Sequence, residues 1–369
     1  MLKKLYVNNY RCFVNFELNM GNLALLLGSN GGGKSTLFDI LRSIRTLLVD
    51  RARTQDVFPV EDITVWSKQE KQTFELTVGN GADEYVYKLV LAPSIGTNGR
   101  QIESEEVLFN TSPLFVFRQG EVQLFDDVLR PGPRYPFDPT VSALATITPR
   151  PDNTRLTWFG QWIEKLLVIS LQPRMMFSVT GEESAWLNHD ATNFASWYRY
   201  LSQEYQDKMF ALTEKLRAVL PGFHSFRLEQ AGRQRILKVG FTGKAHQSSL
   251  VFFDFSRLSD GQRVLIVLYS MLVALDSLGY SVFLDEPENY VSLSEIQPWL
   301  MELRDACDEG PGQAVIISHH PELIDYLGSE CGQWIDRGPL EPARVRAMPA
   351  VERHDLKLSE QVARGWVHE

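Results

Sequence analysis

Cysteine is scarce in this chain of 369 residues: it occurs three times, at Cys12, Cys307 and Cys331. These positions lie far apart and have no metal-ligand spacing, so the sequence offers neither a disulfide framework nor a zinc-binding cysteine set. We therefore expect packed, reduced thiols in a protein of a reducing compartment.

Long apolar runs are also missing. The longest, Val264 to Leu275, is interrupted only by Tyr269 and Ser270 and is too short to span a bilayer, which favours a buried helix. The first residues, Met1 to Leu5, lead into an alternating strand pattern without the apolar core of a signal peptide. We expect a cytoplasmic protein with no membrane partner.

Positive charge is in deficit, since 37 Lys and Arg face 46 Asp and Glu for a formal net charge of -9. This balance argues against a protein that coats nucleic acid by bulk charge, although it leaves room for a local basic patch. Two groups of arginines are candidates, and a solvated surface is the favoured interpretation of both: Arg42, Arg45, Arg51 and Arg53, then Arg130, Arg134, Arg150 and Arg155.

The motif that organises the chain runs from Gly28 to Ser35 and matches the phosphate-binding pattern G-x-x-x-x-G-K-[ST] in full. Its residues are Gly28, Ser29, Asn30, Gly31, Gly32, Gly33, Lys34 and Ser35. An apolar strand pattern precedes it at Leu23 to Leu27, and a helical pattern from about Ser35 to Asp50 follows. Backbone N–H groups of such a loop converge on phosphate oxygens, Lys34 can reach the β- and γ-phosphates, and Ser35 can hold Mg²⁺. We count Thr36, the next residue, among the nucleotide-binding positions.

The remaining chain divides into segments of different character. The whole chain has 44% apolar residues, enough to bury a core as two or three domains or as one domain with insertions. We predict the first part of a nucleotide-binding core at 1–57, an inserted antiparallel β meander at 58–129, and a final core segment at 250–369. Between them, 130–249 should hold a proline-rich connection at Arg130 to Pro151, a helical lobe and return strands.

The helical lobe is predicted from apolar residues at three- and four-residue spacing. One stretch runs from Trp158 to Leu167, and a second runs from Phe194 to Leu220, where Pro221-Gly222 ends it. Gly232-Arg233 marks a hairpin between the return strands.

Three further motifs follow in a fixed order. Ser259, Gly261 and Gln262 precede a long apolar helix, which by itself is typical of an ordinary N-cap as well as of an anion site. A buried-type strand then ends in Asp285 and Glu286, which can hold Mg²⁺ and polarise a water molecule. Another buried strand is followed by His319, which can donate a hydrogen bond to charge developing on a γ-phosphate.

Taken together, the four motifs resemble ATP-binding-cassette (ABC) ATPase heads and, more narrowly, their RecF/SMC-like branch. The resemblance covers 1–50 and 250–325 well and implies an α/β P-loop NTPase of ABC-ATPase type, with an inserted antiparallel β meander and a helical lobe. It implies catalytic roles for Lys34, Glu286 and His319, and a position near the nucleotide for Arg11. The metal-site candidates that it implies are Ser35, Asp285 and Gln119. For Gln119 a turn beside a strand is the equal alternative.

The resemblance also implies a homodimer or higher oligomer, because the motif at Ser259, Gly261 and Gln262 contacts ATP from the opposite subunit in that family. The segment after Glu286 lacks the usual Gly-Leu-His-Pro continuation. No long heptad region separates Ser35 from Leu258, and 44 residues after Asp325 are too few for the Toprim nuclease of OLD-type relatives.

Compact heads of this kind resemble antiphage ATPases such as the Septu type, which implies ATP and Mg²⁺ as cofactors and a separate effector such as a nuclease. The alternatives are a RecF-like ATPase that clamps DNA in repair or chromosome maintenance, a soluble subunit of an ABC transporter, and a nucleotide-gated scaffold.

Overall fold

Eighteen strands and nine α-helices are found in the part of the chain that the computed structural model describes, residues 1–94, 99–243, 250–348 and 356–366. The strands are β1 Leu2–Asn8, β2 Phe16–Asn19, β3 Leu23–Leu27, β4 Gln72–Asn80, β5 Asp83–Pro93, β6 Arg100–Phe109, β7 Ser112–Arg118, β8 Glu121–Phe125, β9 Pro131–Pro136, β10 Leu166–Ile169, β11 Val179–Thr180, β12 Phe223–Ala231, β13 Gln234–Thr242, β14 Leu250–Asp254, β15 Ser281–Asp285, β16 Gln313–Ile317, β17 Gly332–Asp336 and β18 Arg344–Ala347. The helices are α1 Lys34–Val49, α2 Thr54–Val57, α3 Thr154–Glu164, α4 Phe194–Glu204, α5 Gln206–Val219, α6 Asp260–Leu278, α7 Leu293–Glu309, α8 Pro321–Cys331 and α9 Leu358–Ala363.

The chain forms two units, one of Met1–Leu166 with Cys331–Ala350 and one of Leu167–Glu330 with Val351–Glu369. The first unit holds an antiparallel sheet in the order β2-β1-β4-β5-β6-β7-β8-β9. Along β5 buried and half-exposed residues alternate, as expected when one face of a sheet packs on a core. The predicted meander is therefore present, and it continues β1 and β2 in one sheet.

The proline-rich segment corrects one prediction. The prolines predict a connection from Arg130 to Pro151, but Pro131–Pro136 forms β9, which pairs with β8 at the edge of the sheet. An edge strand needs backbone donors on only one side, so prolines are tolerated there. The prolines favoured a connection in the sequence, so the strand was missed.

The first unit also carries a short parallel pair that holds the phosphate-binding motif. β3 pairs in parallel with β17, with Leu27 opposite Trp334, and β17 pairs antiparallel with β18. β3 has the bounds predicted from sequence, and α1 begins one residue before the predicted helix.

The second unit contains β15 and β16 side by side in parallel and a small antiparallel sheet built on β13. The Gly232-Arg233 hairpin is confirmed, with Ala231 opposite Gln234. Two helix predictions need correction. The stretch from Phe194 to Leu220 is two helices, α4 and α5, separated at Tyr205, which has φ -134° and ψ 55°. Leu167 belongs to β10 rather than to the helix before it.

α6 is buried on every side from Arg263 to Leu275, as expected of a helix that is apolar all round. Its 19 residues are long and apolar enough to cross a membrane by length and composition alone, which the shorter apolar run did not suggest. Because 72% of its apolar window is buried inside the protein, α6 is a core helix.

Candidate nucleotide-binding site

The loop between β3 and α1 has the backbone conformation that its glycines allow. Gly28, Gly31 and Gly33 have φ values of 143°, 78° and 114°. A Cβ atom on Gly28 would lie 1.8 Å from the carbonyl oxygen of Ile335 in β17. Only glycine permits this approach, so β17 closes one side of the loop.

The start of α1 is prepared for an anion. No side chain caps its first turn and no acidic residue lies there. The uncapped N–H groups and the positive end of the helix dipole favour a bound phosphate. Lys34 is only 6% exposed, and its Nζ donates to the carbonyl oxygens of Gly28 at 2.7 Å and Ser29 at 3.0 Å. These features fit a nucleotide phosphate chain, and Ser35, an exposed residue, carries a hydroxyl that is a suitable Mg²⁺ ligand.

Arg11 lies against the same helix. Its guanidinium contacts Asp39 of α1 at 2.6 Å and Asp62 at 2.7 Å, and its backbone N–H donates to the Asp62 carbonyl at 2.8 Å. The hydrogen bonds that Arg11 donates to these carboxylates raise its pKa above the ordinary value. Arg11 is therefore held beside the phosphate-binding helix by two acidic side chains.

Gln119 lies at the exposed turn between β7 and β8, with φ 53°. The sheet register places Asn8, Thr73, Val90, Ser104 and Arg118 in one row. Asn8 and Arg118, the two ends of that row, are four strand spacings of about 4.8 Å apart, a distance of roughly 19 Å. The turn interpretation describes this position. The magnesium role of Gln119 stays a prediction.

A second glutamine, Gln172, was not among the candidates predicted from the sequence. Gln172 follows β10, which lies beside β15. The carbonyl of the next residue, Pro173, accepts a hydrogen bond from Arg263 of α6. The sequence signal was a short apolar run, Leu166 to Ile169, with Gln172 three residues after its end.

The second unit brings the acidic pair and the histidine segment to one sheet edge. Asp285 pairs with Ile317, the last residue of the neighbouring parallel strand, and the Glu286 N–H donates to the Ile317 carbonyl at 2.9 Å. Glu286 has φ 48°, and its Oε2 accepts a hydrogen bond from Asn289 at 2.9 Å. His319 is two residues beyond Ile317, so the strand ends position all three predicted residues at the same edge.

A buried contact ties the two loops at this edge together. Glu288 is 6% exposed, burial raises its pKa, and Ser318 donates a hydrogen bond to its Oε1. Ser318 Oγ in turn accepts from the His320 N–H at 3.0 Å. The segment carrying Glu286 and the segment carrying His319 are thus joined by a protein hydrogen bond.

Ser259 is the N-cap of α6, and Gln262 completes a capping box. Ser259 Oγ accepts from the Gln262 N–H at 3.2 Å, and Gln262 Oε1 accepts from the Ser259 N–H at 3.1 Å. A Cβ on Gly261 would lie 2.7 Å from the Tyr290 carbonyl oxygen, so the segment after the acidic pair packs closely on this helix start. The N-cap interpretation is confirmed. A nucleotide contact by these residues stays a prediction.

Most of the candidate basic residues are paired with acids. The ion pairs are Arg42–Asp39, Arg45–Asp50, Arg130–Asp126, Arg134–Glu121 and Arg150–Asp152. Arg155 lies over the ring of Phe109 at 4.1 Å. These neighbours neutralise much of the positive charge of the two arginine groups, for which the sequence favours a solvated surface over a nucleic-acid contact.

Comparison with known proteins bears on the first part of the chain and on the fold. Residues 1–108 match the family model described as an AAA ATPase domain. The SMC head domain from Thermotoga maritima aligns over 95% of this chain and 99% of its own length, with a TM-score of 0.52 and 13% identity. The chain has the fold of an SMC head domain.

Two further SMC-head structures support this assignment of the fold. An SMC head bound to the C-terminal winged-helix domain of ScpA aligns over 95% of this chain and 98% of its own, with a TM-score of 0.56 and 12% identity. An SMC head with an extended coiled coil, bound to the C-terminal domain of ScpA from Pyrococcus furiosus, covers 100% and 99%, with a TM-score of 0.54 and 10% identity. No curated protein matches the sequence.

Proposed function

We propose that the chain is an ATPase that binds ATP with Mg²⁺ between two copies of itself and gates a separate effector protein in bacterial antiphage defence. The observation that carries nucleotide binding is the phosphate-binding loop. A buried ammonium, Lys34, is held by loop carbonyls below an uncapped helix start. A multiply charged phosphate chain is the ligand that this arrangement complements.

Hydrolysis is assigned to the acid and histidine edge of the second unit. Glu286 would orient and polarise the attacking water, and His319 would donate to the γ-phosphate. Mg²⁺, held by Ser35 and Asp285, would neutralise charge on the phosphates. We propose Gln172, in addition to Gln119, as a candidate for the magnesium-sensing glutamine, because Gln172 follows the strand that neighbours β15.

The dimer follows from the motif at Ser259, Gly261 and Gln262, which in ABC-type heads serves the opposite subunit; an isologous pair closes two such sites. A protein partner is supported by analogy with the SMC heads bound to ScpA domains. We favour an effector such as a nuclease over a DNA clamp because most of the candidate arginines are paired with carboxylates.

The test uses the purified full chain and the variants Glu286→Gln and Lys34→Ala. Glu286→Gln should lose steady-state ATP hydrolysis and accumulate as an ATP-bound dimer in size-exclusion chromatography with light scattering. Lys34→Ala should bind no ATP, and its oligomeric state should be the same with and without ATP. A Glu286→Gln protein that still hydrolyses ATP, or that stays monomeric with saturating MgATP, would contradict the scheme.

The effector and DNA readings are separated by two further measurements. Strong ATP-dependent binding of duplex DNA by the purified chain, falling steeply with salt, would favour the clamp. Co-purification of a nuclease encoded by a neighbouring gene would favour the defence role. So would loss of phage protection in cells that express the Lys34→Ala variant.

A further inference from the structure

A second cation reaches the phosphate-binding loop from the far end of the sequence. β17 runs parallel to β3 with Trp334 opposite Leu27, so the residues after Trp334 run alongside the loop itself. The Ile335 carbonyl would lie 1.8 Å from a Cβ on Gly28 and 2.7 Å from one on Gly32. The backbone of β17 is therefore a wall of the loop, and it delivers Arg337 to the same level.

Arg337 makes one direct contact with the loop. Its Nε donates to the carbonyl oxygen of Gly31 at 2.8 Å, and the residue is exposed. Among the described residues it has no ion pair with a carboxylate. The nearest acid in sequence, Asp336, interacts instead with Trp334 and with Arg346. This sets Arg337 apart from the paired arginines of the same unit.

We propose that Arg337 is a second phosphate-binding cation of the nucleotide site, acting with Lys34; this inference rests on the proposed ATP binding. A guanidinium is rigid and planar, so the hydrogen bond from Nε to the Gly31 carbonyl keeps the two terminal nitrogens close to the loop. Those nitrogens donate charge-assisted hydrogen bonds to oxygens of the phosphate chain. Lys34 donates hydrogen bonds to the Gly28 and Ser29 carbonyls below the loop, while Arg337 acts from the exposed side of the loop.

The expected effect is a loss of affinity for the phosphate chain regardless of the base. Isothermal titration calorimetry of the full chain would measure the Kd of MgATP, MgADP and inorganic tripolyphosphate. Arg337→Gln should weaken all three by roughly 10- to 100-fold, the usual range for one hydrogen bond to a charged group. Arg337→Lys, which keeps the charge but not the fork, should fall between it and the wild type.

A control and a second measurement separate binding from mere support of the loop. Arg134→Gln removes one exposed arginine from β9 and should leave every Kd unchanged. Without nucleotide, Arg337→Gln and Arg134→Gln should both have the melting temperature of the wild type. The dependence of the tripolyphosphate Kd on salt should be shallower in Arg337→Gln than in wild type, because screening acts on the missing charge pair.

The outcomes distinguish this inference from the function on which it rests. If the wild type binds none of the three ligands, ATP binding fails and the role of Arg337 fails with it. If the wild type binds, Lys34→Ala does not, and Arg337→Gln stays within twofold of wild type, only the role of Arg337 is overturned. An unchanged salt dependence with weaker binding would also overturn it, since that result describes a brace.

Discussion

Glu105 is expected to make the stability of the large sheet fall as the pH rises. Its side chain is fully buried in β6, where its Oε1 accepts hydrogen bonds from Tyr87 at 2.9 Å and Ser142 at 2.6 Å. Burial raises the pKa of Glu105 from 4.5 to about 7, against the opposing effect of those hydrogen bonds. The folded protein therefore holds this proton more tightly than the unfolded chain does.

The sign and size follow from the two pKa values. A folded pKa above the unfolded one gives stability that is complete below the unfolded value of 4.5 and is lost as the pH passes through about 7. Between pH 5 and pH 8 the loss is about 2.5 kcal/mol. Glu105→Gln stays neutral and can still accept from both hydroxyls, so its unfolding free energy should lack this decline.

The assay compares unfolding free energies of wild type and Glu105→Gln at pH 5 and pH 8. Hydrogen exchange of peptides from β5 and β6, normalised to the unfolded rates, reads this sheet separately from the second unit. The difference between the two proteins should shift by about 2.5 kcal/mol in favour of the glutamine variant at pH 8. Glu106→Gln controls for loss of one charge from the same strand. Parallel pH profiles for wild type and Glu105→Gln would refute the assigned burial effect.

Three other substitutions test the site. Gly28→Ala should abolish nucleotide binding in calorimetry and lower the melting temperature, because its Cβ overlaps a β17 carbonyl; Gly81→Ala, at an open turn with φ 61°, should cost only about 1 kcal/mol and bind normally. Ser259→Ala removes the α6 cap and should lower the unfolding free energy in urea by about 1 kcal/mol; an unchanged value would count against the cap. Ser318→Ala leaves buried Glu288 without its donor and should cost about 1–3 kcal/mol, a loss that Glu288→Gln in the same chain should reduce. Additive losses in that double variant would disprove the coupling.

Local signals were enough for the elements that carry the motifs. Leu23 to Leu27 is apolar throughout and borders a glycine-rich loop, so both β3 and the start of α1 could be predicted. Ser259 followed by Gln262 matches a capping box whose two hydrogen bonds join residues three apart. The edge shared by Asp285 and His319 was also predictable, since each follows a buried strand.

The misses involve competition between local preference and packing. Apolar spacing continues across Tyr205, yet the helix breaks there, and spacing alone carries no information on that break. Prolines in β9 signalled a loop, but only the sheet order shows that they lie at an edge, where missing donors are tolerated. The sequence could not place Gln119 relative to Asn8, at the end of β1 near Arg11. That distance is set by four successive strand pairings.

The sequence by itself determined the phosphate-binding loop, the order of the later motifs and the α/β class, because glycine spacing, capping and apolar periodicity act over a few residues. Tertiary structure alone decided two features. An extra residue in β6 between Ile102 and Ser104 turns Glu105 toward the core, which only the register with β5 reveals. Arg337 meets Gly31 across more than 300 residues because β17 pairs with β3. Such pairings depend on burial summed over whole sheets, which no short stretch of sequence records.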